Sequence, residues 1–394
     1  MDPVLRRTGF AISTLVPPYS RTGMRVNGGM KRTSFYPIIS QFAPEYKLYN
    51  HYLKPEQITT PLEEYWAMRK VAGLWDVTGE AVIEVTGPDA LAVMNELVPR
   101  DLRKLKDMRG LHCIMCYEYG GIVEDAVLLR FDQERFWWVG GEAPTEQWIY
   151  SRSLNKNVEV RSYLDQKHVA SIQGPKSRDI LQRVCEANLS QVPFYGVVAE
   201  TRLSGVPVTI SRTGFTGELG YDIYVDVSNG EELFRGIWEA GKPDGLQLCG
   251  SRALNIRRVE AAILNAGQDF DWTTTPYEIN LGWMVDLNKA SFCGKTALAR
   301  LQQENPTRKL VGLRVDVDEP TEEGAPILWR DQVAGRVTSA TYSPTLKASI
   351  ALGMVKTEVS EVATSLFVEA SGQRVRAEVV SMPFVDPERK LSKM

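Results

Sequence analysis

The part of the sequence with the clearest chemical potential is residues 211–223, where three glycines surround one carboxylate between two strand-like segments. Gly214, Gly217 and Gly220 permit backbone conformations and a close ligand approach that a Cβ would block. The run can therefore present Glu218 at a fixed place on a tight turn. Such a carboxylate can accept paired N–H bonds from a flat heterocycle with adjacent donors, as a pterin has. A hairpin turn with a surface glutamate is the alternative interpretation.

Other residue types that often carry chemistry are scattered. The three histidines, His51, His112 and His168, lie far apart, which gives little support for a metal site. Cys113 and Cys116 have CxxC spacing, but no second cysteine pair or histidine pair lies near their apolar segment, which favours buried structural thiols. Five cysteines without framework spacing indicate reduced thiols in a cytosol-like compartment.

Length and composition limit the class of protein. A chain of 394 residues, 43% hydrophobic and 24% charged, is long enough for two or three domains with buried cores. The net charge of −3 and the lack of a basic stripe argue against a nucleic-acid partner. No apolar run approaches the length of a membrane span, and no secretory signal is evident. We therefore expect a soluble, cytoplasmic protein with no membrane partner.

Residues 1–32 differ in composition from the rest of the chain. They are rich in Arg, Gly, Pro and Ser, and Asp2 is their only acid. This composition fits a transit peptide, a disordered extension, or an overlong start before Met24 or Met30. The prolines at 17 and 18 interrupt the amphipathic helix that a transit peptide needs, which favours a disordered extension.

From residue 35 onward, helical and strand-like patterns alternate. Helices are predicted over residues 61–72, 88–97, 177–187 and 230–240. Strands are predicted over residues 81–85, 122–131, 136–139, 206–211 and 221–227. This mixed order predicts an α+β fold.

A change of pattern begins at residues 309–317, where short alternating strands are separated by turns. The turns are predicted at residues 323–324, 330–331 and 371–372. This pattern predicts a small β-barrel or sandwich that begins near residues 305–306. We therefore expect an extension over 1–32, a core over 33–305 and a C-terminal barrel domain over 306–394.

Motifs in the same order along most of the chain resemble the glycine-cleavage T-protein (aminomethyltransferase) superfamily of folate-dependent one-carbon transferases. They are residues 69–76 (RKVAGLWD), 120–125 (GGIVED), 171–175 (SIQGP), 193–197 (PFYGV), 213–221 (TGFTGELGY), 249–260 (CGSRALNIRRVE), 267–269 (GQD), 292–298 (FCGKTAL) and 338–352 (TSATYSPTLKASIAL). The resemblance implies two intertwined α/β subdomains around a central folate channel, a C-terminal β-barrel, and tetrahydrofolate as the cofactor.

The resemblance also implies residues that bind the cofactor. Glu218 matches the pterin-binding glutamate of the family, and Phe194 and Tyr195 match aromatics that line its pocket. Arg252 falls in the block that carries a folate-contacting arginine, although a salt bridge at a helix start is the alternative. Arg257 is expected to be structural and to pair with the glutamate three residues later.

A second set of implied residues is catalytic. The family has an acidic pair after Gly-Gly, here Glu124 and Asp125, and one member lies beside the reactive nitrogens of the folate. Alternation along a strand allows only one of them to face the pocket, and Asp125 is the expected catalytic residue. His112 lies near a position at which T-proteins have a pocket tyrosine, and Tyr117 and Tyr119 are similarly placed. A satisfied core histidine is the alternative for His112.

Departures from the T-protein pattern suggest a changed substrate. Residues 137–148 (WWVGGEAPTEQW) look like the corresponding part of folate-dependent aryl O-demethylases, and their tryptophans form either a substrate wall or core packing. The phenylalanine-aspartate-valine-serine-histidine block of T-proteins appears here as residues 75–79 (WDVTG), and residues 35–55 replace the N-terminal block. However, the long insertion of aryl demethylases is absent, and residues 265–277 resemble T-proteins.

These observations predict a tetrahydrofolate-dependent methyltransferase that demethylates a small O-, N- or S-methyl compound. One alternative is the glycine-cleavage aminomethyltransferase, which acts on an aminomethyl-lipoyl carrier protein. Another is a noncatalytic folate-binding protein, although the cysteine signature of those superfamily members is missing before Gly267.

Overall fold

The computed structural model describes residues 24–26, 30–42, 45–140, 145–370 and 372–394. Most of the extension predicted over 1–32 lies outside these residues, as does one residue of the turn predicted at 371–372. The described part of 1–32 contains two short strands, Met24–Val26 and Met30–Arg32. No helix in the described ranges has the length and apolar character that crossing a membrane would require.

Helices and strands alternate through the first three quarters of the chain, and strands dominate the last quarter. The helices are α1 Tyr36–Ile39, α2 Pro61–Lys70, α3 Ala90–Leu97, α4 Thr145–Ser153, α5 Ser177–Gln182, α6 Gly230–Gly241, α7 Ser251–Glu260 and α8 Lys295–Gln303. The strands are β1 Met24–Val26, β2 Met30–Arg32, β3 Glu45–Tyr49, β4 Tyr52–Gln57, β5 Gly73–Asp76, β6 Ala81–Thr86, β7 Arg109–Cys116, β8 Ile122–Arg130, β9 Arg135–Gly140, β10 Glu159–Ser162, β11 Lys167–Gln173, β12 Val197–Leu203, β13 Val206–Ser211, β14 Gly220–Asp226, β15 Gln247–Leu248, β16 Arg308–Val315, β17 Pro326–Trp329, β18 Gln332–Ser343, β19 Ala348–Lys356, β20 Ser365–Ala370 and β21 Gln373–Val380.

The strands of the described residues form three sheets and a closed barrel. A small sheet has the order β1-β2-β4-β3, a five-stranded sheet has the order β10-β6-β9-β8-β7, and a six-stranded sheet has the order β12-β13-β14-β11-β5-β15. Strands β16-β19-β18-β17-β20-β21 close the barrel. The predicted α+β fold with a C-terminal β-barrel is therefore confirmed.

The two larger sheets pack against each other, and each is covered by helices on its outer face. Apolar residues of α1, α5 and α6 cover the six-stranded sheet. In α6, for example, Leu233, Phe234 and Ile237 lie on one face of the helix and are buried against the sheet. Helices α3 and α4 cover the five-stranded sheet in the same way. Between the sheets, Leu129 and Tyr224 belong to one buried cluster. This layering leaves the inner faces of both sheets available to form a site.

Helix α2 begins at Pro61 because its first turn is capped. The Thr60 hydroxyl accepts from the Glu63 N–H, and the Glu63 carboxylate accepts from the Thr60 N–H, which together satisfy two backbone donors. The next residue, Glu64, is fully buried and accepts from three backbone N–H groups, including that of Gly250 at 2.7 Å. This contact fixes α2 against the start of α7.

The barrel is joined to the core through buried charged groups at α7 and in the loop that follows it. Arg258 donates to Asp269 at 2.7 Å and to Ser339 of the barrel at 2.8 Å. Glu260 accepts from Ser343 of the barrel at 2.5 Å and from Tyr65 of α2 at 2.9 Å. Because these groups are almost wholly buried, separating the barrel from the core would leave charges unpaired. Domain limits of 33–305 and 306–394 remain a proposal.

Most predicted elements coincide with observed ones, and two differ in a way that has a local cause. The helix predicted over 177–187 ends at Gln182, because Cys185 forms a bridge with Leu203 and the Glu186 N–H donates to the Arg202 carbonyl. The helix predicted over 88–97 begins at Ala90, because Pro88 and Asp89 form a turn.

Candidate functional site

A cavity of about 1420 Å³ lies between the two larger sheets, α7 and the barrel. Its lining includes Ser171 of the six-stranded sheet, Asn255 of α7 and Thr341 of the barrel. All but one of the site residues predicted from the sequence contribute to it: His112, Glu124, Asp125, Phe194, Tyr195, Glu218 and Arg252. The fold thus brings together residues that are up to 140 positions apart.

The side chain of a buried glutamine, Gln173, packs against the glycine-rich turn, where there is no room for a Cβ. A Cβ at Gly214 or at Gly220 would overlap the Gln173 side-chain amide. That amide donates to the Thr213 carbonyl at 3.1 Å and accepts from the Thr216 hydroxyl at 2.8 Å. The absence of a Cβ at Gly214 and Gly220 therefore makes room for the Gln173 side chain.

Glu218 is presented into the cavity by this turn and is held by two arginines. The preceding Gly217 has a φ of +68°, a left-handed conformation that favours glycine. Glu218 is only 6% exposed, and its Oε1 accepts from Arg257 Nε at 2.8 Å and from Arg69 Nη1. Within the described residues, no hydrogen bond reaches its Oε2. One carboxylate oxygen is thus used internally and the other is left for a ligand.

Arg252 and Arg257 both form ion pairs with carboxylates of the protein. Arg252 lies at the surface end of the cavity with a side chain 47% exposed, and it pairs with Glu45 at 3.2 Å and Glu56 at 3.3 Å. The surface salt bridge considered as the alternative is the arrangement observed. Arg257, expected to be structural, does contact Glu260 at 3.4 Å but also contacts Glu218.

The acidic pair of β8 divides between the two faces of its sheet. Asp125 Oδ2 lies 3.0 Å from His112 Nε2 on the cavity side, and the neighbouring strands β7 and β8 hold the two side chains together. Glu124 is 3% exposed, and its carboxylate accepts from Trp138 at 2.6 Å and from Thr145 at 2.5 Å. His112 and Asp125 thus form a pair that can hold or move a proton at the cavity wall.

Tyr119, predicted as a catalytic residue, does not line the cavity. Its side chain is 50% exposed, its hydroxyl donates to the Trp272 carbonyl at 2.8 Å, and its ring stacks on that of Tyr117 at 5.3 Å. The turn between β7 and β8 directs this ring to the surface. We therefore remove Tyr119 from the candidate catalytic residues.

The predicted aromatic residues separate into cavity and core. Phe194 and Tyr195 contribute to the cavity wall with ring centroids 4.5 Å apart, and burial raises the pKa of Tyr195 to about 12. In contrast, Trp137 and Trp138 are buried in the core, where Trp137 Nε1 donates to Glu84 at 2.7 Å. Residues 141–144 of the segment compared with aryl demethylases lie outside the described residues.

Two further carboxyl groups of the cavity were not identified from the sequence. Glu80 is half-buried on the cavity wall, and no hydrogen bond or ion pair reaches it from the described residues. Burial and the nearby Asp222 carboxyl raise the pKa of Glu80 to about 8. Asp222 accepts from Thr213 at 2.5 Å and Ser171 at 2.7 Å, and burial raises its pKa too.

The cavity wall beside Glu80 also contains a buried ion pair. Lys54 lies 2.5 Å from Asp76, which accepts in addition from the Thr33 hydroxyl at 2.7 Å. Burial lowers the pKa of Lys54. Signals for this part of the site were weak: Glu80 directly follows the altered block at 75–79, and Asp222 stands two residues after Gly220 on an alternating strand.

The sequence matches two family models and many relatives. The GCVT N-terminal domain matches residues 22–289, and the glycine cleavage T-protein C-terminal barrel domain matches residues 308–386. The aminomethyltransferase of Halothermothrix orenii is 34% identical over 359 residues, which cover 90% of this chain and 100% of that protein. The trimethylamine-oxide aldolase of Ruegeria pomeroyi is 33% identical over 376 residues, which cover 91% of this chain but 47% of that protein.

A solved structure shares the fold. The crystal structure of the glycine cleavage system aminomethyltransferase T from Bartonella henselae matches with a TM-score of 0.85. The alignment covers 91% of this chain and 99% of that chain, at 24% sequence identity. The likeness extends over both the core and the barrel.

Proposed function

This chain belongs to the glycine cleavage T-protein family, and we propose that it transfers a methyl group from a small O-, N- or S-methyl compound to tetrahydrofolate. The family resemblance predicted from the sequence is confirmed. The chain is a folate-dependent one-carbon transferase, and tetrahydrofolate is its cofactor. The class of methyl donor is our proposal.

The cavity fits a folate together with a small second molecule. Pockets for one drug-sized ligand commonly measure about 300–1,000 Å³, and this cavity of about 1420 Å³ is larger. Glu218 Oε2 provides an unused acceptor for a pteridine N–H, and Phe194 and Tyr195 provide an aromatic wall. When bound, tetrahydrofolate supplies a nitrogen, N5, that accepts the one-carbon group.

The residues of the chain can then be given roles in binding and proton transfer. Glu218 binds and orients the pteridine, and the His112–Asp125 pair accepts the proton that is released at the acceptor nitrogen. When the donor is a methoxy compound, whose oxygen would leave as an anion, Glu80 donates a proton to that oxygen, and the one proton accepted balances the one donated. A sulfonium or quaternary ammonium donor leaves as a neutral molecule, and the proton taken up by the His112–Asp125 pair then passes to solvent.

The observation that carries the proposal is the unpartnered carboxyl group of Glu80 inside the cavity. Its pKa of about 8 keeps this group largely protonated at neutral pH. A heteroatom that would leave its methyl group as an anion requires such a donor. A neutral carboxyl on the cavity wall therefore suits the demethylation of a small compound of this kind.

The test is a direct search for the methylated product. Pure protein is incubated with tetrahydrofolate and a panel of methoxyaromatics, methylated amines and sulfonium compounds, and 5-methyltetrahydrofolate is measured by mass spectrometry. We expect a product with at least one class of donor and a strong loss in Glu80→Gln. The absence of methylfolate from every donor would contradict the proposal.

The names of the relatives favour a second candidate function. This chain matches two aminomethyltransferases over their whole length. By analogy with them, the substrate would be an aminomethyl-lipoyl carrier protein. Under this alternative, the products are ammonia and 5,10-methylenetetrahydrofolate. Activity with an aminomethylated carrier protein, together with inactivity toward free methyl donors, would establish it in place of the first proposal.

A further inference from the structure

We propose that Arg69 and Arg257 are positioning residues that occupy Oε1 of Glu218 and reserve Oε2 for a single N–H donor of the pteridine ring. The inference rests on the proposed folate site and makes it more specific. Two adjacent, parallel N–H donors match the two oxygens of a carboxylate, whereas a single oxygen can lie in line with only one of them.

The first argument is the number of hydrogen bonds that Glu218 Oε1 can accept. A carboxylate has about two acceptor sites on each oxygen, and both sites of Glu218 Oε1 are taken by charged donors. Arg257 Nε donates at 2.8 Å, and Arg69 Nη1 makes the second contact. In the described part of the chain, Oε2 receives no hydrogen bond, although Glu218 lines the cavity.

The second argument is that Glu260 holds Arg257 in place. Its side chain is only 1% exposed, and its Nη1 lies 3.4 Å from Glu260 Oε2. Glu260 in turn accepts from Tyr65 at 2.9 Å and from Ser343 at 2.5 Å. These bonds fix the guanidinium, and through it the rotamer of Glu218, before a ligand arrives.

The third argument concerns Arg69, which comes from the last turn of α2 and is less enclosed. Its side chain is 18% exposed, and its buried Nε has no hydrogen-bond partner among the described residues. Arg69 is therefore attached chiefly through Glu218. Its removal would free one acceptor site on Oε1 while Arg257 keeps the carboxylate oriented, which separates the two arginines experimentally.

Donor counting by calorimetry tests the inference. The ligands are tetrahydrofolate, an analogue without the 2-amino group and a 3-deaza analogue without the N3–H donor. For the wild type, one analogue should bind about ten- to a hundredfold more weakly than tetrahydrofolate, and the other should bind about equally well. For Arg69→Met, both analogues should bind more weakly than tetrahydrofolate, because the freed Oε1 accepts the second donor.

Two variants separate positioning from a general structural effect. Arg69→Lys keeps a charged donor and should keep the wild-type pattern, and it also serves if Arg69→Met does not fold. Arg135→Met removes an arginine from another buried glutamate, Glu84, which does not line the cavity. This control should leave the ratio of the analogue affinities unchanged even if it lowers the melting temperature.

Each outcome has a distinct meaning. If both analogues bind the wild type with the same loss, or with no loss, the reservation of Oε2 is refuted while the folate site stands. If Arg69→Met retains the wild-type pattern, Arg69 is not a positioning residue. If tetrahydrofolate itself does not bind the wild type, the proposed function fails and the inference fails with it.

Discussion

The raised pKa of the Glu80 carboxyl group predicts how the free energy of unfolding depends on pH. Its pKa of about 8 in the folded protein is above the ordinary value of 4.5. The folded state therefore retains a proton that the unfolded chain releases between these two pH values, so the contribution of Glu80 to stability is fully present below about pH 4.5 and is lost as the pH rises to about 8. Above about pH 8 the group is charged in both states and has no further effect.

The size of the effect follows from the shift. One pKa unit corresponds to about 1.4 kcal/mol, so the shift from 4.5 to about 8 lowers the free energy of unfolding by about 5 kcal/mol between the two limits. Replacing Glu80 by glutamine removes the titration. The variant should therefore gain stability relative to the wild type as the pH rises, with little difference near pH 4.5 and the largest difference above pH 8.

The assay is equilibrium unfolding in urea at several pH values from 4.5 to 9, for the wild type and Glu80→Gln. Glu231→Gln is the matched control, because Glu231 forms a surface pair with Arg235 and its side chain is 48% exposed. A difference between Glu80→Gln and the wild type that does not change with pH would refute the reasoning. A control that follows the same curve as Glu80→Gln would refute it too.

Three further predictions concern binding, turnover and acid stability. Glu218→Ala should weaken tetrahydrofolate binding at least about tenfold in calorimetry, because a charged acceptor is lost; unchanged affinity would reject its role. Asp125→Asn should slow turnover about a hundredfold with a donor found in the panel, while the folate dissociation constant changes little; an unchanged rate would reject proton transfer by Asp125. Burial lowers the pKa of His168 to about 4, so stability should fall by about 3 kcal/mol as the pH decreases from 6.5 to 4. His168→Gln should lose this dependence in the same unfolding assay, and retention of it would assign acid unfolding to other groups.

The sequence was most informative where local chemistry decides the structure. The cap at Thr60 and Pro61 starts α2, and the alternation along β8 sends Glu124 and Asp125 to opposite faces. Likewise, the turn of glycines carries Glu218 into the cavity. Each of these features depends on residues only a few positions apart, and the roles of Glu218 and Asp125 were inferred from the family resemblance in addition to spacing.

The parts that were missed depend on how distant elements meet. Arg252 and Arg257 are five positions apart on α7, so they lie on different faces of the helix, and only the tertiary structure brings Arg257 against Glu218, which lies just before β14. Glu80 becomes a candidate because burial, together with the nearby Asp222 carboxyl of β14, raises its pKa. The spacing of residues within a motif does not predict either of these contacts.

The position of β5 has a consequence for synthesis on the ribosome. This strand lies inside its sheet, between β11 and β15, and these two partners end at residues 173 and 248 while β5 itself ends at residue 76. At about 5–20 residues per second, its second edge stays unpaired for roughly 10 to 30 s after the strand has been made. During that interval Leu74 and Trp75 are exposed on a nascent chain, which makes this segment a natural client for a chaperone.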